Sequence, residues 1–198
     1  MDATKLAQYI IKKCFRDNAP ISNLQLQKIL YFIQVEFLKN FNCICFHDEI
    51  EAWMFGPVVP VVYREYQLYG ALPIKIDYTD TELLLKEFTK KKQNKIDDII
   101  NIRKKQSAWD MVHEIHKKGK AWDKIYRNGE GAFDIIPICV LKEFGLSLCI
   151  VNITKLPAKL GVHIPYFPGD NEYVRQYSNI LTLLDKLSKP VDRLIIKT

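Results

Sequence analysis

The chain has 198 residues, 48% of them apolar and 26% charged, a balance that supports a buried core and excludes intrinsic disorder. No apolar run approaches the ~20 residues needed to cross a bilayer, and Met1-Asp2-Ala3-Thr4-Lys5 lacks the basic and apolar regions of a secretory signal, so a cytoplasmic protein without membrane contact is expected. The formal net charge of +6 is mild, and it fits an acidic protein partner as well as nucleic acid.

In chain order, residues 3 to 16 place Leu6, Ala7, Ile10, Ile11, Cys14 and Phe15 on one helical face, with Asp2 at the cap position. Ala19-Pro20 ends that helix. Ser22 and Gln25 have the capping-box spacing and open a second helix reaching about Lys39. Its apolar residues surround the axis too widely for a surface helix, so it is expected at the centre of the fold. Cys43 to Phe46 and Glu49 to Phe55 read as two short strands joined through His47-Asp48 into an antiparallel hairpin. Gly56-Pro57 breaks the second strand, and Pro60 starts a helix that Gly70 stops. Pro73 to Tyr78 is an extended link.

Further along, Thr81 to Lys92 reads as a charged helix with Leu84, Leu85 and Phe88 inward. Asn94 is the expected cap of another helix, through Ile96, Ile99 and Ile100 and on toward Ile115. Gly119 interrupts the pattern, Asn128 to Gly131 forms a loop, and Ile135 to Phe144 gives a short helix starting at Pro137 and stopped by Gly145. Leu146 to Ile153 reads as a strand, Glu172 to Leu187 as a helix and Val191 to Ile196 as a closing strand. The fold class is therefore mainly α (α+β): a helical domain over residues 1–145 containing a small β-hairpin, and a C-terminal α+β extension over 146–198 packed on it.

Cys14, Cys43, Cys45, Cys139 and Cys149 are odd in number and mostly lie in apolar sequence, which points to buried thiols and not a disulfide framework. Cys43, Cys45 and His47 would share one strand face, but a structural zinc needs four ligands and no second half-site accompanies them. No metal or cofactor is expected. Phosphate-binding glycine loops and the H-E-x-x-H and G-x-S-x-G motifs are absent from the sequence.

Several segments together resemble the Panacea domain, the SocA-like antitoxin family. They are Ile21 to Phe32 (ISNLQLQKILYF), Ile50-Glu51-Ala52-Trp53 with Gly56-Pro57-Val58-Val59-Pro60 and Val62-Tyr63, and His116-Lys117-Lys118-Gly119-Lys120-Ala121-Trp122. Ile135 to Phe144 is similar to the helix that closes the family's core. The third segment departs from the family pattern at Ile115, where a threonine is usual, and at Lys118, where an acid is common. The resemblance spans about residues 4 to 145 and marks Lys28, Gly56, His116 and Trp122 as structural motif positions. It implies a mostly helical, non-enzymatic antitoxin that binds a cognate toxin directly, in one branch as an adaptor delivering it to a Clp-type protease. Related proteins occur in prophages and other mobile elements.

Trp53 reads either as a core anchor beside the Gly56-Pro57 break or as a partly exposed aromatic of the type enriched at interfaces. Trp53, Phe55, Pro57, Tyr63, Arg64, Tyr66 and Tyr69 are the candidate partner-binding residues, because Val59 and Val62 must already face inward. Lys28 lies in an apolar helix, where its stem can be buried while its ammonium reaches the rim or a carboxylate such as Glu51. His113 and His116 are three apart on one helix, with Asp110 and Glu114 nearby, but no nucleophile accompanies them. They read as hydrogen-bonded structural histidines.

The leading expectation is thus an antitoxin and not an enzyme. The alternative is a phage or mobile-element protein that binds and inhibits a host defence complex, such as a CRISPR complex, motivated by the tail outside the family pattern. Nucleic acid is the less favoured partner, because the sequence shows no zinc-finger spacing, ribonucleoprotein motif or helix-turn-helix.

Overall fold

A computed structural model describes residues 1–79 and 84–142. Helix α1 (Ala3–Arg16) buries Ala3, Leu6, Ala7, Ile10, Ile11 and Cys14 along one face, as its spacing requires. Asp2 occupies the cap position without a side-chain cap bond. It pairs instead with Lys5 at 3.2 Å, while the Ala3 N–H donates to the Asp48 carboxylate at 2.6 Å. A residue distant in sequence thus satisfies one of the orphan donors of the helix start.

Helix α2 (Asn23–Phe41) begins with the expected capping box of Ser22 and Gln25 and ends at Asn42 in the left-handed region. It is buried on all sides. Around it pack α1, α3 (Pro60–Tyr66), α4 (Lys90–Arg103), α5 (Ala108–Ile115) and α7 (Ile138–Leu141). The described residues are mainly helical with one two-stranded antiparallel sheet. Surface pairs fasten α4: Tyr9 donates to Asp97 at 2.7 Å, and Lys95 meets Glu36 at 2.9 Å. No helix among the described residues is long and apolar enough to cross a membrane.

The hairpin differs from the sequence reading. Strand β1 (Glu51–Trp53) pairs with β2 (Gly56–Val58) in the register Glu51↔Val58, Ala52↔Pro57 and Trp53↔Gly56. Met54-Phe55 is the turn, and Gly56-Pro57 belongs to the second strand instead of breaking the first. The other edge of β1 is covered by residues 133–136: the Ala52 N–H donates to the Asp134 carbonyl at 2.8 Å, and the Ile136 N–H to the Ile50 carbonyl at 2.7 Å.

Residues 43–46 form no strand. Their apolar, β-branched character invites that reading, yet the hydrogen-bond partner is a side chain. Gln34 of α2 accepts from the Cys45 and Phe46 N–H groups (2.8 and 3.3 Å) and donates to the Phe46 carbonyl at 3.1 Å. Buried backbone groups need partners, and one buried amide supplies them here.

Three helix boundaries also shift. The helix expected over 81–92 is interrupted in its described part: a 3-10 turn at Leu84 and Leu85 runs out by Phe88, with Gln93 donating to the carbonyls of Leu85 and Phe88, and α4 starts after Thr89, taking in Lys90 to Lys92. Asn94 lies inside α4 and caps nothing. The chain then breaks between Arg103 and Ser107, where Gln25 donates to the Gln106 carbonyl at 2.9 Å and Ser107 opens α5 through a second capping box with Asp110. Helix α7 covers only Ile138–Leu141, because Ile135 is engaged with Glu51 at the sheet edge. Helix α6 (Ala121–Tyr126) follows Gly119, as expected, and leads into a left-handed kink at Arg127 and Asn128. The proposed boundary near Gly145 and the extension over 146–198 lie outside the described residues.

Cys14 and Cys45 are buried and Cys43 half-buried, all three as free thiols. Among the described residues no three His, Cys, Asp or Glu side chains are placed to hold a metal ion. Cys43, Cys45 and His47 occupy half-buried, buried and exposed positions because they do not share a strand.

Gln34→Met keeps the side-chain volume and leaves buried backbone groups of residues 45 and 46 unpaired. It should lower the unfolding free energy by roughly 1–3 kcal/mol, measured by urea denaturation. A change within the fitting error would show that the segment is held by something else.

Candidate functional site

The residues of the Gly56-Pro57 segment converge with three distant side chains. Lys28 is fully buried on α2, and its ammonium donates to the Pro57 carbonyl at 2.9 Å. The expected pairing with Glu51 does not form. Glu51 accepts the Trp53 indole N–H at 2.7 Å instead, on the outer side of the hairpin. Gly56 has φ +97, a region that favours glycine, and a Cβ there would stand 3.0 Å from Lys28 Nζ and 3.7 Å from His116 Nε2. The backbone conformation favours glycine, and a Cβ would also press on the end of the Lys28 side chain.

His116 ends α5 and lies flat on Trp122 of α6, with ring centroids 3.7 Å apart and planes inclined by 2°. Trp122 stacks in turn on Tyr126 at 4.5 Å, and its indole N–H donates to the Trp53 carbonyl at 2.8 Å. Lys28, Gly56, His116 and Trp122 thus form one packed column joining α2, the hairpin, α5 and α6. The expectation of a hydrogen-bonded His116 fails at Nε2, which is buried with no hydrogen-bond partner. Stacking holds that ring. His113 is exposed.

The electrostatics of this column follow from burial. Desolvation pushes the Lys28 amine down from its ordinary value of 10.5 to about 7. Burial lowers His116 as well, followed in size by the nearby Lys28 and His113 charges. The charged forms of both groups are disfavoured, and among the described residues no carboxylate stands against Lys28 to restore its charge.

Outside the column lies an aromatic surface. Trp53 is half-buried and touches Tyr63 at 4.8 Å and Phe133 at 5.4 Å between ring centroids. Phe55, at the turn, meets Trp109 of α5 edge-on at 5.5 Å. Arg64 is exposed and Tyr69 half-buried. Two of the candidate partner-binding residues are corrected. Pro57 is buried inside β2, and Tyr66 is buried with its hydroxyl against Tyr78 (2.9 Å) and Glu65 (3.0 Å). Neither presents a side chain to a partner, because α3 turns its Val62–Tyr66 face onto the core.

Trp109 and Phe133 escaped the sequence reading. The signal for Trp109 was present in Ser107-x-x-Asp110, the capping box that starts α5 and leaves Trp109 on its first, exposed turn. Nothing local marks Phe133, which is placed by the pairing of residues 133–136 with β1.

The lowered Lys28 value has a definite sign. Between about 7 and 10.5 the unfolded chain holds a proton on Lys28 that the folded chain has released, so stability rises with pH across this window. Lys28→Met removes that contribution. The difference in unfolding free energy, wild type minus variant, should grow as pH rises from 7 toward 10, as read by urea denaturation at several pH values. A pH-independent difference would mean that Lys28 keeps its charge in the fold.

No solved structure matches the chain. Residues 26–123 match the family model described as antitoxin SocA-like, Panacea domain. Antitoxin SocA of Caulobacter vibrioides (strain NA1000 / CB15N) is 43% identical over 70 residues, covering 35% of this chain and 37% of that protein. The match thus spans well under half of the curated relative. The matched segment contains Lys28, Gly56, His116 and Trp122, the column described above. Residues 26–123 of this chain are thus similar to the Panacea domain of the SocA-like antitoxin family.

Proposed function

We propose that the chain is an antitoxin-like protein that neutralises a cognate protein toxin by direct binding, without chemistry of its own. The observation that carries this reading is the coincidence of the SocA-like segment with an exposed aromatic surface. The hairpin and α5, both inside residues 26–123, hold Met54, Phe55 and Trp109 in solvent at 65, 48 and 53% exposure. Large apolar side chains grouped outside the core mark contact surfaces. Lys28, whose basicity burial depresses, is enclosed beneath the hairpin and out of solvent. This supports a structural role for the column and a binding role for the surface above it.

The finer form of the proposal is that the bound toxin is handed to a Clp-type protease. Co-expression tests both levels. A gene adjacent to this one should encode a product that arrests growth alone, and the arrest should be relieved when this chain is supplied. The two proteins should also co-purify. Failure of every neighbouring product to show rescued toxicity would sink the antitoxin reading. Rescue that persists in cells lacking the Clp protease, with undiminished toxin levels, assigns neutralisation to binding alone.

A further inference from the structure

The outer edge of the sheet carries a strained aromatic. Phe133 has φ +70, in the left-handed region that glycine and asparagine enter readily and a bulky side chain does not. Two residues there face one of β1. The Phe133 N–H donates to the Ala52 carbonyl at 2.9 Å, and the Ala52 N–H donates to the Asp134 carbonyl at 2.8 Å. This is the bonding of a β-bulge whose first residue is ordinarily glycine. Burial does not offset the strain, because Phe133 is 64% exposed. Its ring meets Trp53 edge-on, and Trp53 in turn meets Tyr63. A large ring held in solvent at a conformational cost points to a task outside the core.

The backbone beside it is open. Ile135 stands opposite Glu51, but the bonds joining the two segments run through their neighbours, Asp134 with Ala52 and Ile136 with Ile50. The Glu51–Ile135 pair is therefore of the non-hydrogen-bonded type, and the N–H and C=O of Ile135 point away from β1. Neither has a hydrogen-bond partner among the described residues, and Ile135 is 38% exposed. Phe133 lies on Trp53 and Ile135 opposite Glu51, so both belong to the outer face. The bulge on one side and Pro137, which has no N–H, on the other limit the opening to this one residue.

The charge around this face is negative. Glu49 and Glu51 stand along the line of β1, and Glu130 and Asp134 at the bulge. Against these four carboxylates are two guanidinium groups: Arg64 beside Tyr63, and Arg127, which pairs with Glu130 at 3.9 Å and Asp134 at 3.5 Å. Glu51 holds the Trp53 indole. Glu49 is exposed and has no ion pair among the described residues.

We propose that this edge takes up a short extended segment of a protein partner as an added strand, apolar at alternate positions and carrying a lysine or arginine. The N–H and C=O of Ile135 bond the backbone of the segment, an apolar side chain lies on Phe133, and the long basic side chain reaches across Ile135 toward Glu49. The surface goes beyond the antitoxin reading, since residues 133–136 lie outside the segment 26–123 that matches the family model. A second copy of the chain fits less well, because two acidic faces would meet. Nucleic acid is disfavoured for the same reason.

The test uses the full chain and a displayed library of random 12-residue peptides. Enriched sequences should alternate apolar residues and include Lys or Arg. The Ile135 amide should exchange with deuterium at least tenfold more slowly in the complex than in the free protein, read by NMR. Phe133→Gly, which relieves the left-handed strain, should weaken binding by roughly tenfold or more, as for an interface anchor, with the chain still folded in thermal unfolding. Glu49→Lys, away from the bulge, should weaken it independently. No enrichment, enriched peptides without alternation or basic residues, an Ile135 amide left unprotected, or binding that both variants preserve would overturn the proposal. So would a concentration-dependent dimer, or saturable binding of a fluorescent oligonucleotide, that Phe133→Gly abolishes. Toxin rescue by a chain that selects no such peptides sinks this edge alone. Selection of such peptides without toxin rescue sinks the antitoxin reading and leaves the edge.

Discussion

The structure depends on polar side chains that α2 carries into the core. Gln27 accepts from the Val59 N–H at 2.9 Å and donates to Asn23 at 3.0 Å, and Asn23 donates to the Tyr63 carbonyl at 3.2 Å. Lys28 takes the Pro57 carbonyl, and Gln34 holds residues 45 and 46. A helix surrounded by protein would ordinarily be clothed in apolar residues. Here its buried amides and one amine bond the backbone groups that strand pairing leaves open in residues 45–46 and 57–63. The irregular backbone is anchored to the most buried element, and each anchor is satisfied, which is what makes burial of these polar groups tolerable.

The same arrangement places the hairpin. Lys28 fixes the Pro57 carbonyl from below, Trp122 fixes the Trp53 carbonyl from the side, and residues 133–136 close the outer edge of β1. Two strands of three residues each would be marginal on their own. Tied at these points, the hairpin can hold Met54 and Phe55 in water without collapsing onto the core. The exposed aromatic surface and the SocA-like motif positions are therefore two sides of one arrangement, the motif inside and the surface outside.

Where local chemistry decides the conformation, the sequence was readable. The apolar spacing of α1, the Ser22–Gln25 box, Pro60 at a helix start and Gly119 at a helix end all act within a few residues, and all appear as expected. The failures share a different cause. Cys43 to Phe46 looks like a strand because strand and side-chain-bonded extended chain have the same composition; only the position of Gln34 separates them. Tyr66 looks available because one helix turn cannot reveal that Tyr78 and the core close over it. The Lys28–Gly56–His116 contact joins residues from three segments, and its chemistry could be named only as motif positions until the fold brought them together.

All three tryptophans of the chain stand around this one hairpin in three different settings. Trp109 is exposed, Trp53 half-buried against Tyr63 and Phe133, and Trp122 buried between His116 and Tyr126. Neither α1 nor α4 carries one. The intrinsic fluorescence of the protein is therefore a local signal. It reports the loosening or covering of the hairpin and the two helices beside it, and it is blind to events confined to the far side of α2. The molecule carries a built-in optical probe at the surface proposed for its partner.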